Sequence, residues 1–282
     1  MPVFWGRVYW MPFGCASGVV RNGVAGAAAT GHDEGMKGRR GREVVYGRQP
    51  VLEVLKAGRR RVFRIMQKAG LRRATEIEEL WRRAAEAGIP VDDVEQRVLN
   101  RASQGGNHQG LAAEVGDYPY VSAEALLARV EAEDTCLLFL DHLQDPQNVG
   151  SVLRTAEACG VAGVVVPRDR AARITPAVLR GSAGAAEHVA VARVVNLVRS
   201  MRTFSAAGVR LIGLEAAGEA EDYTTADLGR GPVGLVIGSE GWGLGRLVRE
   251  ACDVLVRLPL RGKVTSLNAS VAAGVMLYEV RR

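Results

Sequence analysis

From residue 136 to the end of the chain, strand-length runs of nearly unbroken apolar residues alternate with stretches of helical periodicity. The runs Cys136–Leu140, 161–166, 189–191, 209–214, Val233–Ile237 and 254–258 predict strands, and 146–159, 176–180, 197–207 and 267–280 predict helices. A strand that is apolar on both faces must be covered on both faces. The alternation therefore predicts an α/β fold, a parallel sheet sandwiched between helices. In such sheets ligands sit in the loops beyond the carboxyl ends of the strands. Here those loops are 141–150, 238–245 and 259–266.

Ahead of that region, residues 43–120 predict a smaller α/β unit. It contains a helix over 50–56 opened by Pro50, a strand over 62–66, and an amphipathic helix over 74–87 with Ile77, Leu80, Trp81 and Ala84 on one face. A strand over 89–91, a helix over 94–103 and a strand over Leu111–Val115 complete it, with a polar, flexible turn over 105–110. Residues 121–134 predict a linker helix opened by Ser122, and 135–282 form the larger domain. Residues 1–42 have the composition of a tail, Gly- and Ala-rich and then basic. Met36 directly precedes Lys-Gly-Arg-Arg-Gly-Arg and the first patterned segment, so the expectation is that the protein starts at Met36 and that the preceding stretch is a misannotated or disordered extension.

Charge distribution points to a class of partner. Residues 37–83 hold 15 Lys or Arg against 5 Glu, whereas the rest of the chain holds 22 basic against 26 acidic side chains. A basic first segment on a mildly acidic remainder suits a polyanion, usually nucleic acid. A proteome-wide preference for arginine is the competing explanation, since Arg outnumbers Lys 33 to 4. The four cysteines, Cys15, Cys136, Cys159 and Cys252, form no Cys-x-x-Cys pair, which argues against a zinc site or a disulfide framework and for a reducing cytosol. No apolar run approaches the roughly 18 residues of a membrane span.

Three motif readings fail on spacing. Gly241-Trp-Gly-Leu-Gly245 lacks the final spacing of a dinucleotide fingerprint and the acidic partner that should follow it. Gly262-Lys263 lacks the Ser or Thr of a phosphate loop, because Val264 occupies that place. Asp141, His142 and Asp145 read as a polar turn at a strand end rather than as metal ligands, and no metal is expected.

Three other segments form one pattern: Asp145-Pro-Gln-Asn148-Val-Gly-Ser-Val-Leu-Arg154-Thr-Ala, then Val236-Ile-Gly238-Ser-Glu240-Gly241, then Leu258-Pro-Leu-Arg-Gly-Lys-Val-Thr-Ser266-Leu-Asn268-Ala-Ser-Val. In content and order they resemble the three motifs of the SpoU (TrmH) family of RNA ribose 2′-O-methyltransferases, over residues 137–282. The first domain, with Tyr46-Gly and Asn107-His-Gln-Gly110-Leu, is similar to the ribosomal-protein-like (L30e-like) RNA-binding domain of the branch that methylates a guanosine of 23S rRNA; the segment Gly181 to Arg193 also resembles that branch. The resemblance implies a deep trefoil knot in the second domain, which no periodicity could show. It implies S-adenosylmethionine as methyl donor, held by the backbones at Gly238, Leu258 and Leu267, and RNA, not DNA, as partner. It also implies Arg154 as the essential arginine, with Asn148 and Glu240 orienting it or the ribose, and Ser266 and Asn268 at a helix start as substrate ligands or caps. Capping alone accounts for Ser266, and Asn268 is the stronger catalytic candidate. A permanently protonated guanidinium suits clamping a phosphate and stabilising a developing alkoxide better than it suits a general base.

The family dimerises through the knotted domain. Val271, Val275, Met276 and Leu277 of the closing helix are the expected interface face, with intrachain core as the alternative. Other readings of the same pattern are methylation of tRNA or of another rRNA nucleotide, and a non-catalytic RNA-binding or ribosome-assembly factor.

Overall fold

The computed structural model describes residues 41–71, 75–130, 135–216, 220–239, 241–263 and 266–282. The expectations for Met36 and the tail before residue 41, and for Glu240, lie outside the described residues. The first sheet contains β1 (Glu43–Tyr46), β2 (Val62–Lys68), β3 (Val91–Val94) and β4 (Leu111–Val115) in the order β1-β4-β2-β3. β4 runs antiparallel to both neighbours, while β2 and β3 are parallel. Helices α1 (Arg48–Ala57), α2 (Thr75–Glu86) and α3 (Gln96–Ala102) connect them, and Ile65, Leu80, Leu111 and Val115 are among their buried residues.

The strand expected over 89–91 starts instead at Val91, because Pro90 has no N–H for a ladder and its carbonyl accepts from Ile65 N at 2.9 Å. In the linker, α4 (Ala123–Leu127) begins where expected, with Ser122 Oγ accepting from Ala125 N, but ends after five residues.

The second sheet is parallel throughout. β5 (Cys136–Leu140), β6 (Gly163–Pro167), β7 (Val191–Val194), β8 (Arg210–Leu214), β9 (Glu221–Asp222), β10 (Val233–Ile237) and β11 (Val254–Arg257) lie in the order β7-β6-β5-β10-β8-β11-β9. Every residue of β5, β6 and β10 is buried, as their unbroken apolar runs require. Helices α5 (Pro146–Ala158), α6 (Pro176–Gly181), α7 (Leu197–Ala206), α8 (Arg246–Arg249) and α9 (Ala269–Val280) cover it. Pro146 follows the cap Asp145, whose carboxylate accepts from Gln147 N and Asn148 N. Gly150 lets α5 touch α6, since a Cβ there would lie 2.8 Å from Gly181 Cα. β7 begins two residues later than expected, because the Val189 carbonyl turns away to accept from Arg59 Nη1 and Tyr118 Oη.

Those bonds fasten the first sheet's unit to the second. Arg59 Nη1 also donates to Glu187 O at 2.9 Å and its Nη2 to Pro119 O at 3.1 Å. Tyr118 Oη reaches Ala186 O at 2.7 Å. Beside them the guanidinium of Arg60 pairs with the fully buried Glu187 and with Glu43 at 3.1 Å. Burial pushes the Glu187 carboxyl above its ordinary range, against the pull of Arg60.

Candidate active site

A cavity of about 640 Å³ opens at the carboxyl ends of β8 and β10 and the start of α9, a size suited to a small organic ligand. Gly238 stands just past β10 and has no room for a side chain: a Cβ would lie 2.2 Å from the carbonyl carbon of Gly243. The chain folds back there as a tight loop, in which Ser239 and Gly243 exchange two backbone hydrogen bonds of 3.1 and 3.0 Å. Gly241 and Gly243 take the left-handed backbone this requires, with φ of 81° and 63°. Trp242 at the tip is 89 % exposed.

Leu258, Leu260 and Leu267 give the cavity apolar walls. The backbones of Leu258 and Leu267 make no backbone hydrogen bond among the described residues, so their donors and acceptors remain available to a ligand. Glu215, which the sequence reading missed, adds a carboxylate just past β8. Its oxygens accept from Ala216 N at 3.1 Å and Leu244 N at 3.4 Å, and Arg249 pairs with it at 3.4 Å. The only sequence signal for Glu215 was a lone acid at a strand's carboxyl end.

At the rim, Asn268 rather than Ser266 caps the closing helix, which starts at Ala269, two residues later than expected. Asn268 Oδ1 accepts from Ser270 N at 2.9 Å, and its Nδ2 donates to Asn148 Oδ1 at 2.8 Å. This side-chain bond joins the first and third motifs. Ser266 lines the cavity, exposed and outside the helix.

Arg154 is elsewhere. Six residues on an α-helix amount to a rotation of about 240° and a rise of about 9 Å, so Arg154 points away from Asn148. Asn148 Oδ1 accepts from the Asn268 amide at the rim. Arg154 lines a separate cleft of about 490 Å³ with Gln49, Glu53, Glu157, Ser182 and His188. There Glu53 Oε2 meets His188 Nε2 at 2.7 Å. Burial raises the Glu53 carboxyl, but hydrogen bonds from His188 and Lys56 outweigh it and hold the group below its usual range. Arg154 itself is exposed and makes no ion pair among the described residues. The structure thus gathers Gly238, Leu258, Ser266, Leu267 and Asn268 around one cavity, with Asn148 behind it, and leaves Arg154 apart.

The closing helix also corrects an expectation. Met276 and Leu277 are fully buried in the core, whereas Val271, Val275 and Tyr278 are 53, 42 and 65 % exposed. The four residues expected to share a face divide between two, and Tyr278 joins the outer one.

Residues 135–278 match the SpoU rRNA Methylase family, and residues 44–121 match the RNA 2′-O ribose methyltransferase substrate binding family. YacO of Bacillus subtilis, named a TrmH family tRNA/rRNA methyltransferase, is 42 % identical over 243 residues, covering 85 % of this chain and 95 % of its own. An uncharacterized tRNA/rRNA methyltransferase of Mycolicibacterium smegmatis is 43 % identical over 243 residues, 85 % of this chain and 76 % of that one. Among solved structures, the AdoMet-bound rRNA methyltransferase of Sinorhizobium meliloti has a TM-score of 0.70 at 26 % identity, covering 85 % of this chain and 87 % of that one. AviRb of Streptomyces viridochromogenes, a SpoU methyltransferase in complex with AdoMet, has a TM-score of 0.70 at 25 % identity over 87 % of this chain and 94 % of its own.

Proposed function

Because the chain belongs to the SpoU/TrmH family of RNA methyltransferases, we propose that it moves a methyl group from S-adenosylmethionine to a ribose 2′-hydroxyl of RNA, a guanosine of 23S rRNA being the target. The observation that carries this reading is the cavity under the Gly238–Gly243 loop. Its unpaired backbone groups at Leu258 and Leu267 suit an adenine edge, its leucines suit the ring faces, and the Glu215 carboxylate suits ribose hydroxyls or an ammonium. S-adenosylmethionine bound there would supply an electrophilic methyl carbon: as the ribose oxygen bonds to it in line, the carbon–sulfur bond breaks and the sulfonium leaves as a neutral thioether.

In this reading Gly238, Leu258 and Leu267 hold the donor. Asn148 fixes the amide of Asn268 at the rim, where Asn268 and Ser266 meet the ribose; Glu240, outside the described residues, is the remaining candidate for orienting the arginine or the ribose. Arg154 clamps the phosphate beside the target and stabilises the developing alkoxide, while the hydroxyl proton passes to a phosphate oxygen or to water. Since Arg154 opens into a different cleft from the cavity, the working site is composite: a second copy brings its arginine to this cavity. The exposed stripe Val271, Val275 and Tyr278, on a helix packed against α5, is the surface that joins the copies. The trefoil knot, the L30e-like character of the first sheet, and a division into an RNA-binding domain (43–120), a linker (121–134) and a methyltransferase domain (135–282) belong to the same proposal. A whole separate sheet ahead of the methyltransferase favours a large rRNA target over tRNA.

The test is to incubate the protein and an Arg154→Ala variant with labelled S-adenosylmethionine and unmodified large-subunit rRNA or tRNA, then map the 2′-O-methyl group. A single labelled rRNA guanosine, lost in a variant that still binds S-adenosylhomocysteine, is the expected result. Label on tRNA alone overturns the target, and no label on any RNA overturns the reaction.

A further inference from the structure

On the other half of the second sheet, past the carboxyl ends of β5, β6 and β7, lies an open groove of about 1090 Å³ that the methyl-transfer reading does not use. The segment carrying Trp242, Leu247 and Val248 is its common wall with the donor cavity: Trp242 borders the cavity, while Leu247 and Val248 border the groove. The two concavities therefore open side by side along one end of the sheet.

The groove's chemistry is cationic over an apolar wall. Arg170 comes from the loop after β6, and Arg199 and Arg202 stand one turn apart on α7. All three are exposed, and none of their guanidinium groups makes a hydrogen bond or ion pair among the described residues. Other exposed arginines are tied to a carboxylate on their own helix, as Arg82 is to Glu86 and Arg246 to Glu250. Asp169 is the one exposed carboxylate among the lining residues, so the groove keeps a net positive charge.

The floor is built rather than incidental. Asp141 is buried, and its two oxygens are both engaged: Oδ1 with His142 Nδ1 at 2.5 Å, and Oδ2 with Gly245 N at 2.8 Å. That pins the imidazole, whose side chain is 44 % exposed, with Nε2 as its remaining polar atom at the groove. His142 and Arg170 also hold left-handed backbones, with φ of 56° and 57°, a conformation uncommon in residues that bear a side chain.

We propose that this groove binds the sugar–phosphate backbone of the RNA that flanks the methylated nucleotide, with Arg170, Arg199 and Arg202 on the phosphates and His142 on a ribose hydroxyl or base edge. Guanidinium forks match phosphate oxygens, and an apolar wall suits the faces of unstacked bases. The inference rests on the RNA-methylation reading for its substrate and adds a second anchoring surface, which sets which stretch of RNA can reach the donor cavity.

The test compares the protein with the Arg170→Ala/Arg199→Ala/Arg202→Ala variant, titrating a single-stranded RNA and unmodified large-subunit rRNA at increasing salt. Each phosphate contact on a single strand contributes about 0.7 to the slope of log affinity against log salt. Three contacts therefore make the unaltered protein lose about 20-fold more affinity than the variant between roughly 50 and 200 mM salt. S-adenosylhomocysteine affinity stays the same, which shows that the variant is folded, and KM for rRNA rises while kcat holds. Parallel salt slopes with equal affinities overturn the proposal, as does a groove that takes a free mononucleotide without any effect of the substitutions on RNA. If slopes differ but no RNA is methylated, the groove stands and the reaction falls; if RNA is methylated and slopes are parallel, only the groove falls.

Discussion

Replacing Arg60 with methionine removes the cation that meets a wholly buried carboxylate between the two sheets. The Arg60 side chain is 2 % exposed and that of Glu187 is 0 % exposed, so water cannot take over the lost contact. Hydrogen bonds to Glu43 at 3.1 Å and to Gly116 O at 3.2 Å go as well. Breaking a buried pair from one side costs about 3–5 kcal/mol, because the remaining charge is left uncompensated. For a chain of this size that is a fall in Tm of roughly 6–20 °C. Replacing both partners, as Arg60→Met/Glu187→Leu, removes the stranded charge and recovers most of the loss.

The orphaned carboxyl also titrates in a definite direction. Burial already raises it in the folded protein, and without Arg60 that rise is larger. The folded state then holds its proton at a higher pH than the unfolded state, whose carboxyl titrates at about 4.3. The single variant therefore loses stability as pH rises from there through the raised value, and its deficit is smaller at pH 5 than at pH 8. Urea and thermal unfolding followed by circular dichroism at the two pH values measure all of this. A single variant within about 1 kcal/mol of the parent, or a double variant no better than the single, refutes the reasoning.

Gly238→Ala drives a methyl group into the Gly243 backbone, so it should cost about 1–3 kcal/mol of stability and weaken S-adenosylhomocysteine binding at least tenfold by calorimetry; unchanged affinity would show that the loop is not part of the donor site. Asn268→Ala loses a helix cap worth about 1 kcal/mol, whereas Asn268→Asp keeps the cap but not the donor to Asn148. The aspartate variant should therefore melt like the parent yet transfer methyl groups poorly, and normal turnover would exclude the amide from the reaction. The bond from Arg64 holds the Glu114 carboxyl below its ordinary range against the effect of burial. Its contribution is present above the unfolded carboxyl's pKa and is lost as pH falls through the lower folded one. Glu114→Gln should flatten that acid limb of the stability curve by less than about 1 kcal/mol, since Arg64 is partly solvated.

How legible each part was in the sequence follows from what holds it in place. The strands Cys136–Leu140 and Val233–Ile237 lie where their apolar runs end, because burial on both faces is a composition requirement. β3 was misplaced because its interior is Asp92 and Asp93, acceptable only at a sheet edge. β9 and α8 were not foreseen; they are two and four residues long, and β9 is specified by pairing with β11. Gly238, Leu258 and Asn268 line one cavity because strand ends in a parallel sheet share one edge. The separation of Arg154 from Asn148 follows from helix rotation over six residues. The isolation of Glu215 gave no pattern to find.

The strand order has a consequence in time. β10 lies between β5 and β8, pairing Val233 with both Cys136 and Arg210. During synthesis β5 is made about a hundred residues before the partner that covers its inner edge. At translation rates of about 5–20 residues per second, that edge waits roughly 5–20 s. For that interval the nascent chain presents an apolar strand with unpaired backbone, a template for pairing with other chains. Chains cut short before residue 233 stay in that state permanently, so they should aggregate however well their first sheet folds.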